Sequence, residues 1–422
     1  MTYPTIAAHT LGCKVNKYDT DALLASLSDA GFLLREFNQT ADIYVINTCT
    51  VTHAGDKKSL QLIRRARKLN PSAFIAVCGC MPRGQADSIE KITKAGADFI
   101  FDTRKPEDLL AKLKQILPSP PQHTAHHMPN NRTRATIKIQ DGCNRYCTYC
   151  IVPYVRGPVV SRPLPDILSE AKAHISHGTQ EIVITGIQVA SYGYDTDSER
   201  ITLPQLISRL AAQGPKRLRL SSIDPWAING AFLEAVSTHP TLCSHFHLSL
   251  QSGSNKTLAA MNRRYTTADY AAAATSLKAL RPNMALTTDI IVGFPGETDE
   301  DFAQTLSFAK EMAFAQIHVF EYSPRTGTPA ASLPNQVSSQ IKSARGKELR
   351  NLAQCLQQNF QQKQLGKHLP VLFESETDTG IWQGHTENYI QVKAAGKNLS
   401  NTIKQVKITA QSLTGLEGII AP

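Results

Sequence analysis

The feature that most constrains the fold of this chain is a repeated alternation between short apolar runs and longer amphipathic stretches. From Thr5 to about Leu117, apolar runs such as "DIYVINTC" and "AFIAVCGC" are separated by stretches such as "PEDLLAKLKQIL", whose apolar residues have helical spacing. Such alternation is typical of parallel sheets covered by helices. The sequence therefore predicts a small parallel α/β domain over residues 1–117.

A second and longer alternation follows a proline-rich stretch at 118–132. That stretch has no periodicity and is predicted to be a linker, and its histidines His123, His126 and His127 are interpreted as solvent-exposed. Six βα-type units come next, which is too few for a complete eight-fold barrel and predicts an open, partial (β/α)6 barrel over 133–362, with a long helix near its end. Short alternating runs over 363–422 predict a small β-barrel.

Composition limits the possible functions. The chain has 422 residues, of which 41% are hydrophobic and 19% are charged, as in an ordinary globular protein. It contains no run of about 18 apolar residues, and its N-terminus becomes polar too early for a signal peptide. We therefore expect a cytoplasmic protein with no membrane partner. The net charge of +10 is compatible with a polyanionic partner such as nucleic acid.

Three cysteines, Cys143, Cys147 and Cys150, lie in eight residues directly after the first predicted barrel strand. A zinc loop closed by thiolates needs a fourth ligand, which here would have to come from a distant part of the chain. Three thiolates on a 4Fe–4S cluster would leave one iron free to bind a small molecule. A cluster with an open iron and a structural zinc loop are thus the alternatives.

The motif Cys-x3-Cys-x-aromatic-Cys, with Tyr149 as the aromatic residue, resembles that of the radical S-adenosylmethionine (SAM) superfamily. The resemblance implies that the open iron binds SAM and that SAM is cleaved to a 5′-deoxyadenosyl radical. By the same resemblance, Gly186 is expected to approach the amino group of SAM through its backbone, although a plain turn is its simpler interpretation. Arg156 and Arg162 are candidates for contacts with SAM or a substrate phosphate, and a solvated loop explains them equally well.

Four more cysteines follow strands of the first predicted domain: Cys13, Cys49, Cys78 and Cys80. The carboxyl ends of parallel strands meet at one edge of a sheet, so these residues should converge. The segments "TLGCKVNKYDTD", "INTCTVTHAGDKKS" and "CGCMPR" resemble the N-terminal domain of the methylthiotransferases. That resemblance implies a second 4Fe–4S cluster on Cys13, Cys49 and Cys80, and it leaves Cys78 as a small buried hydrophobe. "GCMPR" departs from the usual Gly-Cys-x-Ala-Gln of that family.

The resemblance covers nearly the whole chain, and it identifies the C-terminal region as an OB-like RNA-binding barrel called a TRAM domain. It implies a tRNA anticodon stem-loop as partner, SAM as co-substrate, and an electron donor such as flavodoxin or ferredoxin. Candidates for RNA contacts within the TRAM region are Trp382, Tyr389, Lys393, Lys404 and Lys407, because such barrels can combine basic side chains with exposed aromatics. Aromatics of the barrel core and solvated lysines explain these residues equally well.

The motifs around Cys13 and Cys49 are most similar to the branch that adds a methylthio group to C2 of N6-threonylcarbamoyladenosine beside the anticodon. Alternatives are the branch acting on N6-isopentenyladenosine and the branch acting on an aspartate of a ribosomal protein. A radical SAM methyltransferase would not need the N-terminal cysteine ligands. A non-catalytic, RNA-binding redox sensor with an iron–sulfur cluster is an alternative of another class.

Overall fold

The computed structural model describes residues 4–116, 133–195 and 200–421, which form two compact units. The first unit contains the described residues up to 116, together with Asp141–Pro158 and Ser323–Ala331. The second contains the remaining described residues. The predicted linker at 118–132, with its three histidines, lies outside the described residues.

The first unit is built on a five-stranded sheet in the order β2-β1-β3-β4-β5, and every pairing in it is parallel. Four of its strands correspond to the predicted apolar runs "TIAAHTLG", "DIYVINTC", "AFIAVCGC" and "ADFIFDT", while the short edge strand β2 was not predicted. The strands are β1 (Thr5–Thr10), β2 (Leu33–Arg35), β3 (Ile43–Thr48), β4 (Phe74–Gly79) and β5 (Phe99–Ile100). The helices are α1 (Lys14–Asp29), α2 (His53–Leu69), α3 (Ser88–Lys94), α4 (Pro106–Ile116) and α5 (Val152–Arg156).

Helices cover both faces of this sheet. Every residue of the central strand β3 is buried, as expected for a parallel strand with apolar layers on both sides. Tyr44 and Ile46 belong to one apolar cluster, whereas Ile43 and Val45 belong to the other. The alternation of side chains along β3 thus supplies both layers of the core.

The second unit contains six parallel strands that follow one another in chain order, with the short strand β7 (Val160–Ser161) at the edge beside the first of them. The six are β6 (Arg134–Asp141), β8 (Glu181–Gly186), β9 (Arg217–Leu220), β10 (His245–His247), β11 (Ala285–Val292) and β12 (Gln316–Glu321). They form two sheets, and isolated bridges join the region of β9 to that of β10. The predicted α/β class with parallel strands is confirmed.

The helices between these strands are α6 (Leu164–Ser176), α7 (Leu203–Ala211), α8 (Gly230–Thr238), α9 (Asn255–Ala260), α10 (Thr267–Leu280) and α11 (Asp299–Met312). The predicted long helix is α12 (Ser339–Gln362), whose N-cap is Ser338. No helix in the described part of the chain is both long and apolar enough to cross a membrane.

The six strands have one apolar face and one polar face. Ile137, Ile182, Leu218, Phe246 and Ile290 belong to the large apolar cluster that also includes the helices. Because side chains alternate along a strand, the residues between them lie on the opposite face. That face, called here the polar face, carries Arg134, Lys138, Gln140, Glu181, Thr185, Arg217, Arg219, His245, His247, Thr287, Asp289, Gln316 and His318.

The C-terminal region is a closed barrel of five strands in the order β13-β14-β15-β17-β16. The strands are β13 (His368–Asp378), β14 (Ile381–Thr386), β15 (Gln391–Ala395), β16 (Thr402–Gln411) and β17 (Leu416–Ile420). Val371, Phe373, Val392 and Val406 are fully buried in its core. The predicted small β-barrel is therefore present.

Buried arginines of the polar face bind the C-terminal barrel. Arg217 donates to the carbonyls of His385 (3.0 Å) and Pro370 (2.7 Å), and Arg219 donates to the carbonyl of Glu387 at 2.9 Å. The ring of Tyr389 lies 4.6 Å from the Arg219 guanidinium and 5.2 Å from the ring of His245. Tyr389 is partly buried against these side chains, which favours its interpretation as a packing aromatic over that as an exposed stacking residue.

Candidate metal centre

Cys13, Cys49 and Cys80 follow the ends of three neighbouring strands of the first unit. Cys49 comes directly after β3 and Cys80 directly after β4, and Cys13 precedes the first residue of α1, a short loop after β1. Since β1, β3 and β4 are adjacent and parallel, the three cysteines lie at one edge of the sheet. Cys80 is buried, Cys49 is partly buried and Cys13 is exposed, so the group is reachable from solvent on one side.

Two glycines allow the strand ends to come close together. Gly12 has φ +98°, and a Cβ built on it would lie 3.1 Å from the Cys49 sulfur. Gly79 has φ +93°, and a Cβ there would lie 2.4 Å from the carbonyl oxygen of Thr48. Only glycine adopts such φ values readily, and any side chain at Gly79 would push the strand ends apart.

A buried amide holds the first two strand ends in place. The Asn16 Nδ2 donates to the carbonyls of Leu11 (2.7 Å) and Thr48 (3.0 Å). Asn47 in turn donates from Nδ2 to the carbonyl of Asn16 at 3.0 Å. The loops that carry Cys13 and Cys49 are thereby linked through α1.

Burial opposes thiolate formation at Cys49 and Cys80. Burial raises the pKa of Cys80 to about 11; Arg156 opposes this, and negative charge on Cys13 and Cys49 adds to it. Burial also raises the pKa of Cys49, with Arg325 acting in the opposite direction. Three mutually repelling thiolates in a partly buried site are the donor set that a bound metal cluster stabilises.

Two arginines from distant parts of the chain supply charge near these cysteines. Arg156 in α5 donates to both carboxylate oxygens of Asp141, at 2.7 and 2.9 Å, and bonds Asn16. Arg325 is 1% exposed and lies 2.7 Å from both the Asp56 carboxylate and the Thr50 hydroxyl. Burial disfavours the charge on Arg156, but Cys80 and the nearby carboxylates outweigh burial and raise its pKa.

The second cysteine group lies on the loop Asp141–Pro158, which belongs to the same unit. The Cys143 N–H donates to the Gly157 carbonyl (3.0 Å), and the Cys150 N–H donates to the Cys147 carbonyl (2.9 Å). The Arg145 N–H donates to the Cys143 sulfur at 3.4 Å. These bonds curl the loop around its three cysteines, so that one short segment presents all of them.

Apolar packing brings this loop next to the first cysteine group. Cys80 forms a small buried cluster with Ile151 and Val155, which lie just after Cys150. Cys78, in contrast, packs in an apolar core that contains Leu23 and Leu109, and it is 1% exposed. The two cysteines of "CGC" thus have different surroundings because the positive φ of Gly79 redirects the chain between them.

The remaining candidate residues are distributed over both units. Gly186 ends β8, and a Cβ built on it would lie 3.0 Å from the Gln140 amide oxygen, so the backbone is close to its neighbour. Arg162 donates to Glu170 and to the Lys138 carbonyl, each at 2.7 Å. Tyr149, on the cysteine loop, is partly buried. Arg156 and Arg162 therefore both have carboxylate partners in the protein.

Sequence reasoning missed Arg325, Asn16 and Asp19 as parts of this site; the Asp19 carboxylate lies 3.5 Å from the Arg156 guanidinium. Asn16, Asp19 and Thr20 are all buried on α1, which gives that helix a polar buried face. Their spacing of three and four residues in "NKYDT" was a signal that could have been used. Arg325 had no comparable signal, because its partners are more than 260 residues away along the chain.

Two family models match the parts of the chain that contain the two cysteine groups. Residues 137–309 match the model of the radical SAM superfamily, and residues 5–102 match a family described as uncharacterized protein family UPF0004. The chain is 38% identical to the threonylcarbamoyladenosine tRNA methylthiotransferase MtaB of Bacillus subtilis, over 96% of this chain and 93% of that protein. It is 34% identical to the tRNA-2-methylthio-N(6)-dimethylallyladenosine synthase of Pelotomaculum thermopropionicum, over 97% of this chain and 96% of that protein.

Solved structures show similarity at the level of the fold. The radical SAM methyltransferase TsrM from Kitasatospora setae aligns with a TM-score of 0.57 at 13% identity, covering 78% of this chain and 77% of TsrM. The cobalamin-dependent SAM radical enzyme OxsB aligns with a TM-score of 0.51 at 14% identity, covering 84% of this chain and 56% of OxsB.

Proposed function

The chain belongs to the radical SAM tRNA methylthiotransferases, and we propose that it transfers a methylthio group to C2 of N6-threonylcarbamoyladenosine beside the tRNA anticodon. The observation that carries this proposal is the near full-length similarity to three enzymes named for that reaction, at 32–38% identity. Sequence identity to a dimethylallyladenosine synthase is nearly as high, at 34%. The two branches are therefore distinguished by identifying the nucleoside that is modified.

The enzyme uses SAM and two 4Fe–4S clusters. We assign one cluster to Cys143, Cys147 and Cys150 and the auxiliary cluster to Cys13, Cys49 and Cys80. When bound, these cofactors supply the electron, the hydrogen-abstracting radical and the sulfur chemistry that an inert aromatic C–H requires. Three protein thiolates at each cluster leave one position for a reactant.

The protein's own residues compensate the charge of the cluster ligands, contact SAM and order the cysteine loop. In the proposed site, Arg156 and Arg325 offset the negative charge of the auxiliary thiolates. Because both arginines are buried, water screens this attraction only weakly. Gly186 offers its backbone to SAM because it has no side chain in the way. Tyr149 lies within the cysteine loop, and we assign it to the binding site for SAM. Arg162, held by Glu170, orders the segment that follows the loop.

For the RNA partner, the structure offers an exposed aromatic pair on the cysteine loop. Tyr146 and Tyr154 are 49% and 48% exposed, and their ring centroids are 5.9 Å apart in a T-shaped arrangement. Unstacked bases of single-stranded loops bind on such rings. We assign this pair to the anticodon stem-loop, in addition to the exposed Lys404 and Lys407 of the C-terminal barrel, which we take to be a TRAM domain.

We further propose that residues 1–117 form the auxiliary-cluster domain, that 118–132 link it to the radical SAM core at 133–362, and that 363–422 form the TRAM domain. We place the reaction in the cytoplasm, with a flavodoxin or a ferredoxin as the electron donor.

The proposal is tested by nucleoside mass spectrometry of tRNA from a strain that lacks the gene. The methylthio derivative of threonylcarbamoyladenosine should disappear while unmodified threonylcarbamoyladenosine accumulates. Complementation with Cys80→Ala should fail, and the matched Cys78→Ala variant should restore the product because Cys78 packs in the apolar core. Loss of the dimethylallyl product alone would overturn the substrate assignment.

A further inference from the structure

A second set of metal-ligand side chains lies on the polar face of the second unit. His247 ends β10, Asp289 lies in β11 and His318 lies in β12, so three neighbouring strands contribute one residue each. One ligand atom from each lies within 4.8 Å of the other two. None of the six cluster cysteines belongs to this group.

The spacing of the first two side chains matches that of ligands on one metal ion. The Nε2 of His247 lies 3.2 Å from Oδ2 of Asp289. Two ligands that are each about 2.0–2.1 Å from a tetrahedral zinc ion are about 3.3 Å apart. The rings of His247 and His318 are 5.7 Å apart between centroids, and a ring nitrogen of each lies within 4.8 Å of the other.

The Nε2 of His247 is a buried polar atom next to the Asp289 carboxylate. His247 is only 9% exposed, and among the residues that the structure describes its Nε2 has no hydrogen-bond partner, despite the short distance to Asp289. A buried nitrogen without a partner destabilises the fold because it has lost its hydrogen bond to water. An ion bound between His247 and Asp289 would satisfy this nitrogen.

The other ring nitrogen of His247 is held by a neighbour. Its Nδ1 lies 3.1 Å from the Thr287 hydroxyl, and the same hydroxyl lies 3.2 Å from Nε2 of His245. When Nδ1–H donates to Thr287, the lone pair of Nε2 faces Asp289. Metal-binding histidines are oriented by hydrogen bonds of this kind.

We propose that His247, Asp289 and His318 bind one divalent transition-metal ion. Two imidazoles and one carboxylate are a donor set for zinc or non-haem iron(II), and three protein ligands leave a position open for water or another oxygen ligand. His318 is exposed, so that position is reachable from solvent. This inference does not depend on the proposed tRNA substrate.

The test measures zinc in the full-length protein after anaerobic reconstitution of both clusters. The holoenzyme is incubated with zinc chloride and desalted, and its zinc and iron contents are determined by mass spectrometry. We expect about one zinc ion per chain in addition to the cluster iron. Zinc X-ray absorption should show nitrogen and oxygen neighbours at about 2.0–2.1 Å, whereas zinc in the cysteine sites would show sulfur at about 2.3 Å.

Variants distinguish zinc held by the three proposed ligands from zinc bound elsewhere on the protein surface. Asp289→Asn should lose the bound zinc, and Thr287→Val, which keeps all three ligands, should weaken zinc binding by about 10–100-fold. The control His368→Ala changes an exposed histidine of the C-terminal barrel and should bind zinc as the wild type does. The proposal is overturned if wild-type protein retains no zinc, if Asp289→Asn retains it, or if the zinc neighbours are sulfur.

Discussion

Replacing Glu181 by glutamine should remove much of the stability of the second unit. Glu181 is fully buried and accepts hydrogen bonds from Nε (2.7 Å) and Nη2 (2.9 Å) of Arg219, which is itself 1% exposed. Arg217 adds a second positive charge at 3.8 Å. In Glu181→Gln both guanidinium groups would stay buried and would lose the carboxylate that they share.

The size of the effect follows from the two distances. At an effective dielectric constant of about 20, two unit charges 4 Å apart interact by about 4 kcal/mol. Removal of one partner from a buried ion pair costs about 3–5 kcal/mol. We therefore expect the free energy of unfolding of this unit to fall by about 3–5 kcal/mol. The change should also loosen the C-terminal barrel, because Arg219 binds the carbonyl of Glu387.

Urea unfolding followed by tryptophan fluorescence measures this effect. The chain has two tryptophans, Trp226 and Trp382, and both lie in the second unit, so their emission reports on it. The unfolding midpoint should fall by about 1–2 M urea. Glu321→Gln is the control, since its pair with Arg350 is exposed on both sides and should contribute less than about 1 kcal/mol. Equal midpoints for the two variants would refute the reasoning.

Three further predictions follow from the same structure. Burial raises the pKa of Glu181, but its arginine partners outweigh burial and hold the pKa below its usual value. The difference in free energy of unfolding between wild type and Glu181→Gln should therefore be constant above about pH 5 and become smaller at lower pH. A difference that does not change with pH in urea titrations would contradict this. Gly79→Ala should reduce the iron bound at the auxiliary site. Gly96 also has positive φ, but a Cβ built on it has no neighbour closer than 3.4 Å, so Gly96→Ala should retain the full iron content. Equal iron contents in the two variants would argue against a close approach at Gly79. Tyr154→Ala should weaken binding of an anticodon stem-loop by about tenfold and Tyr154→Phe should not, as measured by fluorescence anisotropy; unchanged binding would exclude this loop from the RNA interface.

The strand–helix alternation was sufficient to predict most of the architecture. Buried parallel strands such as β3 are continuous apolar runs, and these stand out in any sequence. The edge strand β2 was missed because its three residues, Leu33, Leu34 and Arg35, are exposed and are too few to show a strand periodicity. The short helix α3 was missed for a related reason, since only Ser88 and Ile92 of its seven residues are buried.

The cysteine groups could be predicted, but their surroundings could not. Parallel strands end at one edge of a sheet, so the convergence of Cys13, Cys49 and Cys80 followed from topology. The partners of Arg156 and Arg325 depend on long-range packing, which local patterns do not encode. Tyr389 shows the same limit, because an aromatic residue in a short barrel has the same sequence signature whether it is packed or exposed.

The cysteine sites are tested most directly by Mössbauer spectroscopy of protein reconstituted anaerobically with 57Fe. Wild-type protein should contain about eight irons per chain, all in 4Fe–4S clusters, and a variant with Cys13, Cys49 and Cys80 replaced by alanine should contain about four. About four irons in the wild type, unchanged in that variant, would show that the N-terminal cysteines hold no cluster and would contradict the account.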